Sequence, residues 1–319
     1  MRLPFLRYFR RGHTALCLNS SYFGFYAHAG FLQGLHELEV IPEHVAGASA
    51  GAIVAGLYAA GMNPEEIARQ FLSPRLSRVF IEWQAAYRMP ALMMNRKGIT
   101  GAFDGRKIQA LLKEFIGNRR IEDCKNPTLA LSVANLTAGR TETARYGLIR
   151  EYIMASAAMP GLFQAQNIEG DLYWDGGIAD PIPFEHWLEN DRIRRIIVHQ
   201  VVPVSTGRRN SRRDEYRSVG QSLKSGKESD RQADHEVLYR SGSEAPERFS
   251  FLSALERSHE IISDELIRLR LQMARSQGVK VLWFRTETPR LGPHRMRRGG
   301  INFELGRKAA LDNASLLNR

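Results

Sequence analysis

Apolar positions along the chain fall into two alternating spacings. Residues 13–18 (His-Thr-Ala-Leu-Cys-Leu) make a short apolar run that ends in polar Asn19-Ser20-Ser21, and they predict a strand. From 25 to 38 the spacing becomes helical, with Phe31, Leu32, Leu35 and Leu38 on one face. Ile41-Pro42 leads to a small strand around 44–46, and Gly47-Ala48-Ser49-Ala50-Gly51 predicts a turn. Ala52 to Ala60 is apolar all round, as a buried helix is. Pro64-Glu65-Glu66 opens another helix, with Pro suited to a first turn. Further helices are expected over 104–116, 149–158, 251–275 and from Phe303 to Leu317, and further strands over 128–135, 193–202 and 279–285. Strands alternating with helices predict βαβ units and a largely parallel sheet. No internal repeat is visible.

Composition narrows the picture. Among 319 residues, 43% are hydrophobic and 25% charged, which excludes whole-chain disorder and fits one large domain or two smaller ones. Lys and Arg total 45 against 34 Asp and Glu, a net charge of +11 that favours anionic partners. Two cysteines, Cys17 and Cys124, cannot form a disulfide framework and favour a reducing compartment. Arg2, Arg7, Arg10 and Arg11 interrupt the N-terminal apolar residues, so no secretory signal is expected. The uncharged stretches Val45–Asn63 and Tyr152–Ile168 are broken by glycines or by Pro160-Gly161 and read as buried core elements. The expected location is cytoplasmic, with peripheral contact at the inner membrane face.

Two segments stand apart from the α/β pattern. Residues 205–230 carry Arg208, Arg209, Arg212, Arg213, Arg217, Lys224 and Lys227 among Ser and Gly. They read as a mobile basic insertion, either a solvated loop or a docking surface for anionic lipid or nucleic acid. Residues 72–100 gather Trp83, Tyr87, Met89, Leu92, Met93 and Met94. That cluster reads as ordinary core packing, with a lid that contacts acyl chains as the alternative.

Candidate chemistry lies in three segments. Gly47-Ala48-Ser49-Ala50-Gly51 is a Gly-x-Ser-x-Gly between a strand and a helix, which would expose a serine hydroxyl at the sheet's carboxyl edge. The helix N-terminus adds positive potential where an oxyanion would form. Asp175-Gly176-Gly177 follows the run Leu172-Tyr173-Trp174, and the glycines let other groups approach the carboxylate; it also reads as a plain Asp-Gly turn. Asp180, before Pro181, is a competing carboxylate that reads better as a turn start. Asn19-Ser20-Ser21-Tyr22-Phe23-Gly24 links the first strand to its helix, where backbone N–H groups can hold an anion.

In this order, the three segments resemble the patatin-like phospholipases. Phe103-Asp104-Gly105 and the stretch from Ala155 through Pro160-Gly161 to Phe163 agree with the same family, and the match covers roughly 13–200 plus the final helix. The resemblance implies a three-layer α/β/α fold with a mostly parallel central sheet, as a single domain over 13–319 after a basic segment 1–12. It implies a lipid acyl hydrolase of the phospholipase A or carboxylesterase type, with no metal or cofactor. Carried over, Ser49 is the nucleophile and Asp175 the base, Gly47, Gly51, Gly176 and Gly177 are motif glycines, and the N–H groups of Ser20, Ser21, Tyr22 and Gly24 form the oxyanion hole. The expected partners are a lipid or ester substrate and an anionic membrane surface, with nucleic acid disfavoured for want of a basic–aromatic motif. The docking candidates are the N-terminus, the 205–230 insertion and the cluster Arg290, His294, Arg295, Arg297, Arg298.

The loop departs from the family's Gly-Gly-Gly-x-Arg/Lys-Gly. Serines replace glycines, Phe23 stands where a basic residue is usual, and non-glycine residues resist positive φ. The alternative is therefore a catalytically silent relative that binds anionic lipid through its basic surface. A Ser–His–acid triad is a third reading, with His186, His199, His235 or His259 as the histidine, although His199 reads as a core residue.

Overall fold

The computed structural model describes residues 13–79, 82–188, 190, 192–204 and 251–318. The expectations for 1–12 and 205–230 lie outside the described residues. The chain divides into a main unit, 1–203 with 259–319, and a small unit, 204–258. Of the small unit, the structure describes only Val204 and the residues from 251 onward, which open a helix. Everything that follows concerns the main unit.

Its first half is strand–helix–strand–helix: β1 (His13–Leu18), α1 (Phe25–Glu37), β2 (His44–Gly47) and α2 (Ala50–Ala59). α3 (Pro64–Leu72) starts on a reciprocal cap, Asn63 Oδ1 accepting from Glu66 N–H at 2.9 Å and Glu66 Oε2 from Asn63 N–H at 3.0 Å. Then come α4 (Arg75–Arg78), α5 (Ala85–Met93), β3 (Gly101–Phe103) and α6 (Arg106–Ile116). The helix expected from 104 begins later because Gly105 takes φ 77° and the Asp104 carboxylate caps Arg106 N–H at 3.0 Å. Next are β4 (Thr128–Asn135), β5 (Arg140–Ala144), α7 (Ile149–Ser156), β6 (Gly161–Phe163), β7 (Gln166–Ile168) and β8 (Asp171–Asp175). The chain closes with β9 (Ile193–Val204), α8 (Phe251–Ser276), β10 (Lys280–Pro289) and α9 (Gly299–Leu311).

The main sheet runs β10-β9-β1-β2-β4-β8-β7, with β5 also paired to β4. β9, β1, β2 and β4 are mutually parallel, and β8, β7 and β5 extend the sheet antiparallel. Alternate residues face opposite ways. Leu16, Leu18, Val45, Leu131, Val133 and Ile197 pack under α1, α2, α3 and α9. Ala15, Cys17, Ala46, Ala130, Ile196 and Val198 face Phe184, Trp187 and Ile267 of α8. Small side chains on this second face let large aromatics lie close to the sheet. The result is the three-layer α/β/α arrangement. β3 and β6 pair separately as a parallel two-stranded ribbon.

One expectation fails. The aromatic and methionine cluster of 72–100 is not core: α5 has no buried residue, and Trp83, Met93 and Met94 are 75%, 81% and 81% exposed.

α1 and α9 cross backbone to backbone. A Cβ at Gly306 would overlap the Ala27 carbonyl, and one at Gly30 the Phe303 carbonyl. Helix propensity alone favours Gly→Ala by about 0.8–1.0 kcal/mol. Overpacking costs about 1–3 kcal/mol, and here the obstructing atoms are backbone. Gly306→Ala is therefore expected to lower the urea midpoint; a raised midpoint would show that the contact can relax.

Candidate active site

β2 ends at Gly47 and α2 begins at Ala50, so Ala48 and Ser49 make the turn between them. The φ of Ser49 is 51° and its ψ −116°, a conformation that costs a non-glycine residue of order 1–3 kcal/mol. The turn is this tight because glycines admit neighbouring backbone. A Cβ at Gly51 would overlap the Leu18 carbonyl, and one at Gly47 the backbone of Gly51 itself. The turn holds the Ser49 side chain half-buried at the carboxyl edge of the parallel strands.

Asp175 reaches the same point from β8. Ser49 Oγ donates to Asp175 Oδ2 at 2.7 Å, and Gly177 N–H donates to Asp175 Oδ1 at 2.8 Å. Gly177 comes so close that a Cβ there would overlap the Ser20 hydroxyl, while one at Gly176 would overlap the Ser132 carbonyl. The Ser49–Asp175 pair is also held by a segment the sequence did not single out for this role. Ser156 Oγ accepts Ser49 N–H at 2.9 Å, and the Ala158 carbonyl accepts Asp175 N–H at 3.1 Å. Ser156 was visible within the Ala155–Phe163 stretch, but only as a matching residue type.

The other carboxylate and the histidines are engaged elsewhere. Asp180 is ion-paired to buried Arg270. His186 lies beside Trp187 with ring centroids 4.9 Å apart. His199 is buried in β9, as the apolar strand around it suggests. No described histidine hydrogen-bonds Asp175 or Ser49. His235 and the His259 side chain lie outside what the structure describes.

The Asn19–Gly24 loop corrects two expectations. Ser20 N–H donates to the Pro181 carbonyl at 2.8 Å, and Gly24 N–H faces the Ser21 carbonyl at 3.4 Å. Neither donor is left for a substrate. Ser21 N–H and Ala50 N–H, the latter opening α2, have no acceptor among the described residues. Tyr22 packs its ring edge-on against Phe23 at 4.8 Å. Serines in place of glycines cost little here, since Phe23, at φ 54°, is the loop's one described residue with positive φ. Its buried ring is held by Tyr22 and Phe25.

Side chains do what glycines cannot, and anchor the loop. Asn19 Oδ1 accepts Val201 N–H at 2.8 Å and Asn19 Nδ2 donates to the Ser20 carbonyl at 2.7 Å. The Asn19 carbonyl lies 3.0 Å from His28 Nε2, His28 Nδ1 lies 2.9 Å from His199 Nδ1, and His199 Nε2 lies 2.9 Å from Thr286 Oγ1. A carbonyl only accepts, so His28 carries its proton on Nε2. His199 then donates from Nδ1, and the Thr286 hydroxyl donates to His199 Nε2. Burial keeps both rings neutral, pushing His28 down to about 3 and His199 well below its ordinary value.

Burial acts on Asp175 in the opposite direction. It pushes the carboxyl up to about 7, against the lowering effect of the Ser49 and Gly177 hydrogen bonds. The folded protein holds this proton more tightly than an unfolded chain does. Stability is therefore fullest below the ordinary pKa near 4 and falls as pH rises towards 7. Asp175→Asn removes that loss. The variant is expected to melt above the parent at pH 8, with the gap closing towards pH 4, when thermal unfolding is followed at both values.

A family model, described as patatin-like phospholipase, matches residues 16–187, just over half of the chain. An uncharacterised NTE family protein of Mycobacterium tuberculosis is 30% identical over 173 residues, 53% of this chain and 44% of that one. The lysophospholipase NTE1 of Cryptococcus neoformans is 31% identical over 179 residues, 55% of this chain and 10% of that one. The chain thus spans less than half the length of these relatives. Among solved structures, VipD from Legionella pneumophila aligns over 95% of this chain and 67% of its own, at 16% identity and a TM-score of 0.44. No helix among the described residues is long and apolar enough to cross a membrane. By the extent of the family match, and with Gly-x-Ser-x-Gly and Asp-Gly-Gly meeting at one point of the sheet, the chain belongs to the patatin-like phospholipase family.

Proposed function

We propose that the protein is a lipid acyl hydrolase in which Ser49 is the nucleophile and Asp175 the general base. The observation that carries this reading is the 2.7 Å hydrogen bond from Ser49 Oγ to a buried carboxylate whose pKa is pushed up to about 7. A base poised near neutrality takes a proton in the attack and returns it afterwards with little loss either way. An aqueous carboxylate, near pKa 4, is a poorer proton acceptor.

Asp175 Oδ2 takes the Ser49 proton as Oγ bonds to the ester carbonyl carbon. The oxyanion is met by Ser21 N–H and by Ala50 N–H, where the positive end of α2 adds to the field. The proton on Asp175 passes to the leaving alkoxide as the ester C–O bond breaks, which leaves an acyl-serine. Water then attacks the acyl carbon, giving its proton to Asp175. The carbon–Oγ bond breaks, Asp175 reprotonates Ser49, and the fatty acid leaves. This course needs no group from outside the chain. The family and the named lysophospholipase relative support a lipid substrate for the site.

Hydrolysis of short and long p-nitrophenyl esters and of phospholipid vesicles tests this. Ser49→Ala is expected to fall to background and Asp175→Asn to lose about 10²–10⁴-fold in kcat. For the parent, kcat/KM is expected to drop as pH falls through about 7, where Asp175 takes up its proton. A fluorophosphonate should label Ser49. Labelling without turnover on any ester would favour the silent lipid-binding relative, and undiminished labelling of Ser49→Ala would overturn the dyad assignment.

A further inference from the structure

The exposed helix α5 is the largest feature that the catalytic reading leaves unused. From Trp83 to Met94 the one charged residue is Arg88, and Trp83, Tyr87, Met89, Met93 and Met94 are all exposed. Several exposed apolar side chains on one helix mark an interaction site when they are held in place. These are held. Arg88 Nη2 bonds to Asp104 Oδ2 at 3.2 Å, Arg88 Nη1 lies 4.0 Å from Glu82 Oε2, and that same oxygen accepts Asp104 N–H at 2.9 Å. This clamp ties one side of the helix to the end of β3. The apolar residues are left on the outside of a fixed support.

Exposed cations flank α5 in the sequence and α4 in space. Arg96 and Lys97 follow α5 directly and are exposed, as is Arg78 of α4. The turn Pro293–Arg298 packs against α4 and exposes Arg295, Arg297 and Arg298. Exposed acids do not interrupt the sequence from Arg75 to Gly101, where Glu82 is the one acid and is buried. Indole and phenol rings suit the boundary between headgroups and acyl chains, and methionine adapts to irregular apolar contacts. Neighbouring Arg and Lys add attraction to anionic lipid that fades with salt. This combination fits an in-plane helix resting on a bilayer.

The patch is also joined to the dyad by a short run of contacts. β3 pairs with β6, and Gln164 Oε1 accepts from Thr100 N–H at 3.0 Å. β6 in turn continues the segment that starts at Ser156, the partner of Ser49 N–H.

We propose that α5, with Trp83 before it, is the surface by which the protein docks on anionic lipid bilayers. The idea rests on the lipid hydrolase reading only for its purpose; the docking itself needs no catalysis. It assigns the contact to a described helix rather than to the basic insertion at 205–230.

The test uses the full chain with Ser49→Ala, so that the vesicles stay intact and a wrong catalytic assignment has no bearing on the result. Partitioning is measured by co-sedimentation with vesicles of phosphatidylcholine alone or with about one-third phosphatidylglycerol. The triple change Trp83→Ser, Met93→Ser, Met94→Ser touches only exposed side chains, and far-UV circular dichroism checks its fold. It is expected to weaken binding to the anionic vesicles about tenfold or more. Arg96→Glu with Lys97→Glu is expected to weaken binding to the anionic vesicles alone, and the difference from the parent should shrink in high salt. Bromine-labelled acyl chains should quench parent fluorescence more than that of the triple variant. Parent-like binding by the triple variant would overturn the proposal. So would a lipid-free parent dimer that the triple change dissolves, since the face would then belong to a second copy of the chain.

Discussion

The site depends on one constraint, the register of β4 between its two neighbours. Leu131 of β4 lies opposite Gly47 on the parallel side, and Val133 lies opposite Asp175 on the antiparallel side. Two residues of strand span roughly 6.6 Å. β4 thus sets how far the start of the serine turn stands from the carboxylate. A slip of one residue would turn Asp175 to the other face of the sheet, and a slip of two would carry it out of hydrogen-bonding reach. The end of α7 makes the same measurement independently, through Ser156 to the serine amide and Ala158 to the aspartate amide. Two rulers that agree leave a pair 126 positions apart in the chain little freedom to be misplaced.

The same site works against folding in two places. Ser49 takes a backbone conformation that β2 and α2 impose from either side, and Asp175 is buried without a cation beside it. Half-buried Asp180 shows the contrast. Its charge is met by Arg270, as an ordinary structural carboxylate's would be. At Asp175 no cation offsets the burial, and burial pushes its carboxyl up to about 7.

Much of this was legible in the chain. The alternation of strand and helix through β1, α1, β2 and α2 is strong because both faces of a parallel sheet must be apolar. The tight glycines of the serine turn were equally plain. The antiparallel half was harder. β5 reads Arg-Thr-Glu-Thr-Ala and buries only Ala144, so burial leaves little mark on it. The role of Ser156 depends on a contact 107 residues away, which no local pattern carries. In the Asn19–Gly24 loop the residue types suggested four equivalent donors. Pro181 takes one of them from across the site, a choice made by tertiary structure. α5 misled for a simpler reason: hydrophobic composition signals burial only when something in the same chain does the burying.

The row of hydrogen bonds from Thr286 through His199 and His28 to the Asn19 carbonyl has a direction, fixed by its one end that cannot donate. A row with a direction constrains inheritance. Replacing Thr286 by valine would leave His199 Nε2 with no donor, and a histidine that flipped its tautomer in answer would turn two acceptors towards each other further along. The three positions are thus bound to vary together or not at all. They sit on β10, β9 and α1, far apart in the chain, and together they hold the Asn19 carbonyl at the start of the loop beside Ser49. A single methyl group on the sheet's edge strand therefore reaches the loop beside Ser49 through two buried rings.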